Sequence, residues 1–151
     1  SIPWNVLTDP EQTAELDRYL AGAKAAKARP LLTFNQTRGD DNRALPTPEV
    51  LGRQFRALRK RYPWVKEYAT WNEANYRHQR TATRIRLVVA YYRAMQRACP
   101  TCTILAAEVL DGQNMAAWVK EFERLARPTQ GRHGRLPHPP RRAPRLQRRG
   151  V

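Results

Sequence analysis

Three short runs concentrate the side chains that could do chemistry. Asn35-Gln36, Asn72-Glu73 and Glu108 with Asp111 place amides and carboxylates, which hydrogen-bond polar ligands and move protons, directly after apolar stretches. A fourth run, Cys99-Pro100-Thr101-Cys102, has the C-x-x-C spacing of zinc sites, redox pairs and local disulfides. Zinc needs four ligands, and besides the two cysteines the chain offers only His78 and two histidines beyond residue 130. A redox pair sets its first cysteine at a helix start, where the dipole lowers the thiol pKa, whereas this pair follows the end of a helical pattern. A disulfide, if the chain belongs to a secreted protein, and two half-buried thiols are the readings left. His78 reads as an ordinary loop histidine. Neither G-x-G-x-x-G nor G-x-x-x-x-G-K-[ST] occurs, so the chain carries neither of the common phosphate-cradling loops.

Elements that would position these runs follow from periodicity. Thr8-Asp9-Pro10-Glu11 reads as a helix start, with Thr8 as cap and proline in the first turn, and the pattern continues through Ala26. Pro30 to Asn35 is a short apolar strand, followed by the turn-rich Arg38-Gly39-Asp40-Asp41-Asn42. A second helix opens at Thr47-Pro48-Glu49, sets Val50, Leu51, Phe55 and Leu58 on one face, and stops at Tyr62-Pro63. Val65 to Trp71 is β-branched and aromatic, hence a strand. A helix over Thr83 to Cys99, a strand over Cys102 to Val109 and a helix over Asn114 to Leu125 complete the series. Trp4, Trp64 and Trp118 read as packing residues, Trp118 most clearly because it lies on an apolar helical stripe.

Strands that alternate with helices form parallel βαβ units. Each strand turns polar at its carboxyl end, the end where barrel enzymes build their sites, and the glycine-rich turn usual in doubly wound folds is missing. The expected fold is therefore α/β, an incomplete (β/α)8 TIM barrel of about four units, with Ile2-Pro3-Trp4-Asn5 as the end of the first strand. A complete barrel takes about 250 residues, against 151 here.

Net charge is +15 and the sequence pI about 11.0, but the charge is uneven. All thirteen acidic residues lie at or before Glu123, and residues 127–151 hold eight arginines and five of the twelve prolines. Removing those eight charges from +15 leaves +7 on the first 126 residues. Domain organisation reads accordingly: 1–126 a partial barrel, 127–151 an Arg/Pro-rich tail without helical or strand period, expected to be disordered. A shifted reading frame, a solvated tail and a phosphate-contacting arm are three readings of that switch. The longest unbroken apolar run, Leu87 to Tyr92, is six residues, where a membrane-spanning helix needs roughly 20, so a membrane partner is not expected. No signal-peptide pattern opens the chain; the expectation is a processed chain or a piece of a longer one.

Trp71-Asn72-Glu73-Ala74-Asn75 resembles the W-N-E-P segment that ends the fourth strand of clan A retaining glycoside hydrolases, with Ala74 in the proline position. Residues 1–126 also resemble secreted actinobacterial glycosyl hydrolases carrying similar P-W-N, W-N-E-A-N and A-C-P-x-C-T segments. The resemblance implies a retaining glycosidase in which Glu73 is the general acid/base. Such a carboxyl must stay protonated at working pH, which partial burial or a neighbouring carboxylate favours. It further implies Asn72 bonded to the sugar 2-hydroxyl. Trp71, Asn35, Trp4, Asn5, Tyr76 and Glu108 would complete the substrate contacts, with no metal or other cofactor. The nucleophilic carboxylate belongs to a seventh strand outside this sequence, so no hydrolysis is expected of this polypeptide alone. The resemblance makes the partner a carbohydrate and the parent protein secreted. Open barrel edges point to self-association. The competing reading is a basic nucleic-acid-binding protein that uses the arginine-rich segment; acidic strand ends and the lack of a basic-aromatic motif disfavour it.

Overall fold

A computed structural model describes residues 1–38 and 44–127 of the chain. Strands β1 (Ile2–Pro3), β2 (Leu31–Asn35), β3 (Glu67–Ala69) and β4 (Thr103–Leu105) alternate with helices α1 (Pro10–Ala25), α2 (Pro48–Arg61), α3 (Ile85–Ala98) and α4 (Met115–Ala126). The strands make one sheet in the order β1-β2-β3-β4, every pair parallel. Each neighbour is thus also the next strand in sequence, joined by a helical crossover as parallel pairing requires.

The pleat gives the sheet two unlike faces. Leu32, Phe34 and Tyr68 are buried against the helices. Phe55 of α2 meets the Phe34 ring edge-on at 6.2 Å and the Tyr68 ring at 4.8 Å, joining β2, β3 and α2 in one cluster. Val88, Val89 and Met95 bury the apolar stripe of α3, and Trp118 stacks on Phe122 at 5.6 Å along α4. The other face carries Leu31, Thr33 and Asn35 from β2, Glu67 and Ala69 from β3, and Thr103 and Leu105 from β4. Leu31 and Leu105 remain 39 % and 44 % exposed there.

Element ends have local causes. The second helix starts where its sequence says, Thr47 Oγ1 accepting the Val50 N–H at 3.3 Å. The first does not: Thr8 closes a short 3-10 turn, and Asp9 is the cap, its Oδ1 accepting the N–H groups of Glu11 and Gln12 at 2.9 and 3.1 Å. A carboxylate next to Pro10 outcompetes the hydroxyl one residue earlier. The two later strands are shorter than predicted. The Thr70 N–H makes the last rung to the Leu105 carbonyl at 3.2 Å, and the Thr70 hydroxyl shares that carbonyl at 3.0 Å. Cys99 and Cys102 form a disulfide between the end of α3 and the start of β4. The turn predicted at 38–42, past Arg38, and the disorder expected of the tail, past Arg127, concern residues outside those described.

Candidate active site at the carboxyl ends of the strands

Just beyond β3 the chain is tied on both sides. The Asn72 N–H donates to the Phe34 carbonyl of β2 at 2.8 Å. On the other side the Glu108 N–H donates to the Trp71 carbonyl and the Ala74 N–H to the Glu108 carbonyl, both at 2.9 Å. Between these ties Glu73 has φ +46°. The left-handed region disfavours a residue with a Cβ by about 1–2 kcal/mol, so the flanking bonds must hold it there. Lys27, the other described non-glycine residue with positive φ, sits just past the end of α1, where such a turn is routine. Glu73 has no such excuse, and its side chain is half-buried.

Polar side chains surround this bend. Glu108 Oε1 accepts the Thr33 hydroxyl at 2.7 Å, so a carboxylate from beyond β4 reaches across β3 to β2 and covers Thr33. Asn35 Oδ1 accepts the Gln36 N–H at 2.8 Å and the Gln79 amide at 3.4 Å, while Gln36 Nε2 donates to Gln79 Oε1 at 2.5 Å. Asn75, 1 % exposed, joins the loop after β3 to the loop after β4. Its Nδ2 donates to the Leu110 carbonyl at 2.8 Å, its Oδ1 accepts the Leu110 N–H at 2.7 Å, and its own carbonyl accepts the Asn114 amide at 3.0 Å.

The residues singled out in the sequence fall into two groups. Glu73, Asn72, Glu108 and Asn35 all lie at the strand ends; Trp4 is tied there through its backbone N–H, which donates to the Asn35 carbonyl at 2.9 Å, while its half-buried ring packs against the core. Tyr76 follows the bend, half-buried, with its ring edge-on to His78 at 5.0 Å. Trp71 does not face the strand-end cluster, contrary to the expected substrate contact. It is fully buried and stacks on Tyr91 of α3 at 5.5 Å, because the bend turns the indole back toward the helices. The Asn5 side chain is spent locally, its Nδ2 donating to Thr8 Oγ1 at 3.2 Å within the 3-10 turn. Neither Arg77 nor Arg80 forms an ion pair with Glu73 among the described residues, and Arg77 donates instead to His78 at 3.1 Å. No cluster of three or more metal-ligating side chains occurs among the described residues.

Sequence reasoning overlooked Thr33, Gln79 and Asn75. Strand alternation would have given Thr33, which shares a face with Asn35. Gln79 and Asn75 lie in an aperiodic loop that offers no such signal.

The chain thus has four parallel β/α units in sequential order, with a carboxylate and amide cluster at the strand ends. No protein-family model, curated protein or solved structure matches it.

Proposed function

We propose that this chain is the central part of a (β/α)8 glycoside hydrolase of the retaining type, acting on O-glycosyl bonds of oligo- or polysaccharides, with Glu73 as its acid/base. The observation that carries the reading is the placement of Asn72-Glu73 directly after a mid-sheet strand, with Glu73 held at a positive φ by bonds from both neighbouring strand ends. Strand order supports the barrel. A doubly wound sheet reverses direction at a switch point, and a barrel adds each strand beside the last; here the order runs 1-2-3-4.

In such an enzyme Glu73 gives its proton to the departing glycosidic oxygen. It then accepts a proton from the water that releases the sugar from the enzyme. Asn72 binds the 2-hydroxyl, a contact that strengthens as the anomeric carbon becomes positive. Glu108 and Asn35 flank the sugar, and Tyr76 offers a ring face near it. Retention requires a second carboxylate about 5–5.5 Å from the first, which this reading assigns to a strand later than β4. This polypeptide alone should therefore not turn over substrate. The Cys99–Cys102 disulfide fits a secreted parent. The alternative of nucleic-acid binding rests on arginines past the described residues, and the site itself presents Glu73 and Glu108.

Reading the encoding DNA past codon 126 in all three frames tests the proposal. One frame should continue through an apolar strand and a helix to a later strand ending in Glu. The chain so continued should cleave aryl glycosides with retention, and Glu73→Gln should abolish cleavage of poorly activated substrates. Absence of such a frame, or activity indifferent to Glu73→Gln, overturns the reading.

A further inference from the structure

The loop that carries Glu73 into α3 is lopsided in charge. Between Glu73 and Glu108 the chain has six arginines and no acidic residue. Three of the six, Arg77, Arg80 and Arg84, lie in the loop itself, with His78 between the first two. Successive backbone turns wind this loop: the Glu73 carbonyl accepts the Tyr76 N–H at 2.8 Å, the Tyr76 carbonyl the Gln79 N–H at 2.8 Å, and the Gln79 carbonyl the Ala82 N–H at 3.1 Å. Its inner side is pinned by buried polar groups. Asn75 holds Leu110, Gln79 meets Gln36 and Asn35, and the fully buried Thr81 donates its hydroxyl to the Ala74 carbonyl at 3.1 Å. Arg77, His78 and Arg80 are left on the exposed side. Arg77 spends its Nε–H on His78 Nε2, so its terminal N–H groups, and every N–H of the Arg80 guanidinium, have no acceptor among the described residues. Arg38 and Arg61, by contrast, are paired with Glu15 and Asp17.

We infer that the substrate of the site proposed above is an acidic polysaccharide, a uronate chain whose carboxylates are taken by Arg77 and Arg80 while Glu73 serves the adjoining glycosidic bond. This rests on the glycosidase reading and adds a substrate class to it. Two carboxylates, Glu73 and Glu108, stand at the strand ends and repel a sugar that bears a third. Such a sugar enters where cations offset that repulsion, and Arg77 and Arg80 follow Glu73 on a loop bonded to its carbonyl. A neutral sugar gains nothing from them. Like charges crowded on one loop repel each other, a cost that a bound anion relieves. Guanidinium is also the cation that grips a carboxylate through two parallel N–H bonds, and the pinned backbone fixes where both side chains start. A sugar polymer is favoured over a nucleic acid because these cations border the acid/base carboxylate.

Binding, which needs no turnover, tests this in the chain as it stands. A tetramer of galacturonic acid, and the same tetramer with its carboxyls methyl-esterified, are titrated calorimetrically at about 0.15 M salt, where exposed charges more than roughly 8 Å apart are largely screened. The acid should bind about tenfold more tightly than the ester. Arg77→Gln with Arg80→Gln should erase that preference. Arg53→Gln with Arg97→Gln, which removes equal charge from exposed positions between α2 and α3, should keep it. Glu73→Gln should tighten binding of the acid further, because one repelling carboxylate is gone. Equal losses in the two double variants, acid binding indifferent to Glu73→Gln, or no binding of the acid overturns the inference. So does a single-stranded oligonucleotide that displaces the acid and depends equally on Arg77 and Arg80. An ester bound as tightly as the acid overturns it too but leaves the glycosidase reading standing; failure of that reading shows instead in the reading frame past codon 126. Comparison of acid with ester in the unaltered chain decides the matter even if a variant folds poorly.

Discussion

β2 and β3 lie mid-sheet and β1 and β4 at its flanks, and the two pairs are finished differently. Phe34, Tyr68 and Ala69 in the middle are at most 1 % exposed, and the two rings meet Phe55 from the helix layer, whereas Leu105 on β4 is 44 % exposed. Apolar burial is what pulls the chain together, so stability should reside in the β2-β3-α2-α3 centre. The candidate site stands on that centre. Glu73 and Asn72 follow β3 and Asn35 ends β2, while Glu108 comes from beyond the flanking β4. Residues that must hold position thus sit where packing is densest.

The largest effect should come from emptying the centre. Phe55→Ala removes the ring between Phe34 and Tyr68 and should lose about 3–5 kcal/mol, a large share of the roughly 5–15 kcal/mol that holds an ordinary domain folded. Leu105→Ala should lose under about 1 kcal/mol, because much of that side chain is already in water. Urea unfolding of the two variants checks the contrast, and equal losses would remove it.

Asn75 is the next test, since it fastens the flank to the centre. Asn75→Ala strands the Leu110 N–H and carbonyl and should lose about 2–3 kcal/mol. The loss should show first as faster amide exchange at Leu110 with little change at Phe34. Uniform loosening would mean that the two regions unfold as one. The leucines on the sheet face away from the helices give a third test. Exposed Leu31 and Leu105 favour self-association, so Leu105→Lys should shift sedimentation toward monomer, and an unchanged distribution would exonerate this face.

Glu73 offers a smaller effect of opposite sign. Glycine adopts positive φ without a Cβ clash, so Glu73→Gly should stabilise the chain by about 1 kcal/mol, net of the entropy glycine adds to the unfolded state. Glu73→Ala keeps the Cβ and should not. A strained residue whose removal improves stability is what a functional carboxylate at this bend would look like.

Legibility followed the same division. Periodicity gave the later helices, because Leu51, Phe55 and Leu58, or Val88, Val89 and Met95, recur at helical spacing to meet a continuous core, whereas the first was read from its capping residues and the 3-10 turn before it was missed. Strand-end polarity gave Asn35, Asn72, Glu73 and Glu108 for a related reason: where a parallel strand leaves the layered core, its residues turn polar. The direction of Trp71 was not legible, because it depends on a bend made by partners thirty-odd residues away, Phe34 and Glu108, which no local pattern encodes. The Asn75 latch and the Gln36–Gln79 pair join separate loops and are equally nonlocal. The cap at Asp9 rather than Thr8 was a choice between adjacent side chains that differ by one residue of reach.

The smallest expected effect lies at the seam between α1 and the end of α2. Asp17 accepts hydrogen bonds from Arg61 at 2.6 and 3.2 Å and from the Tyr62 hydroxyl at 2.7 Å. The Arg61 bonds, then the Tyr62 bond, hold its carboxyl below the usual aspartate range. Because the folded value lies below the unfolded one, the contribution is fully present above the unfolded value, about pH 4, and is lost as pH falls through the folded one. Both charged side chains are well exposed, 47 % for Arg61 and 40 % for Asp17, so water and salt screen the pair and the effect should be slight. Asp17→Asn should flatten the stability curve below about pH 4 and leave neutral stability almost unchanged. Thermal melts of the unaltered chain and of Asp17→Asn should differ slightly in low salt and converge in high salt, where screening leaves only the stability set by the centre. An acid limb unchanged by Asp17→Asn would assign acid sensitivity to other carboxylates and leave this seam as packing alone.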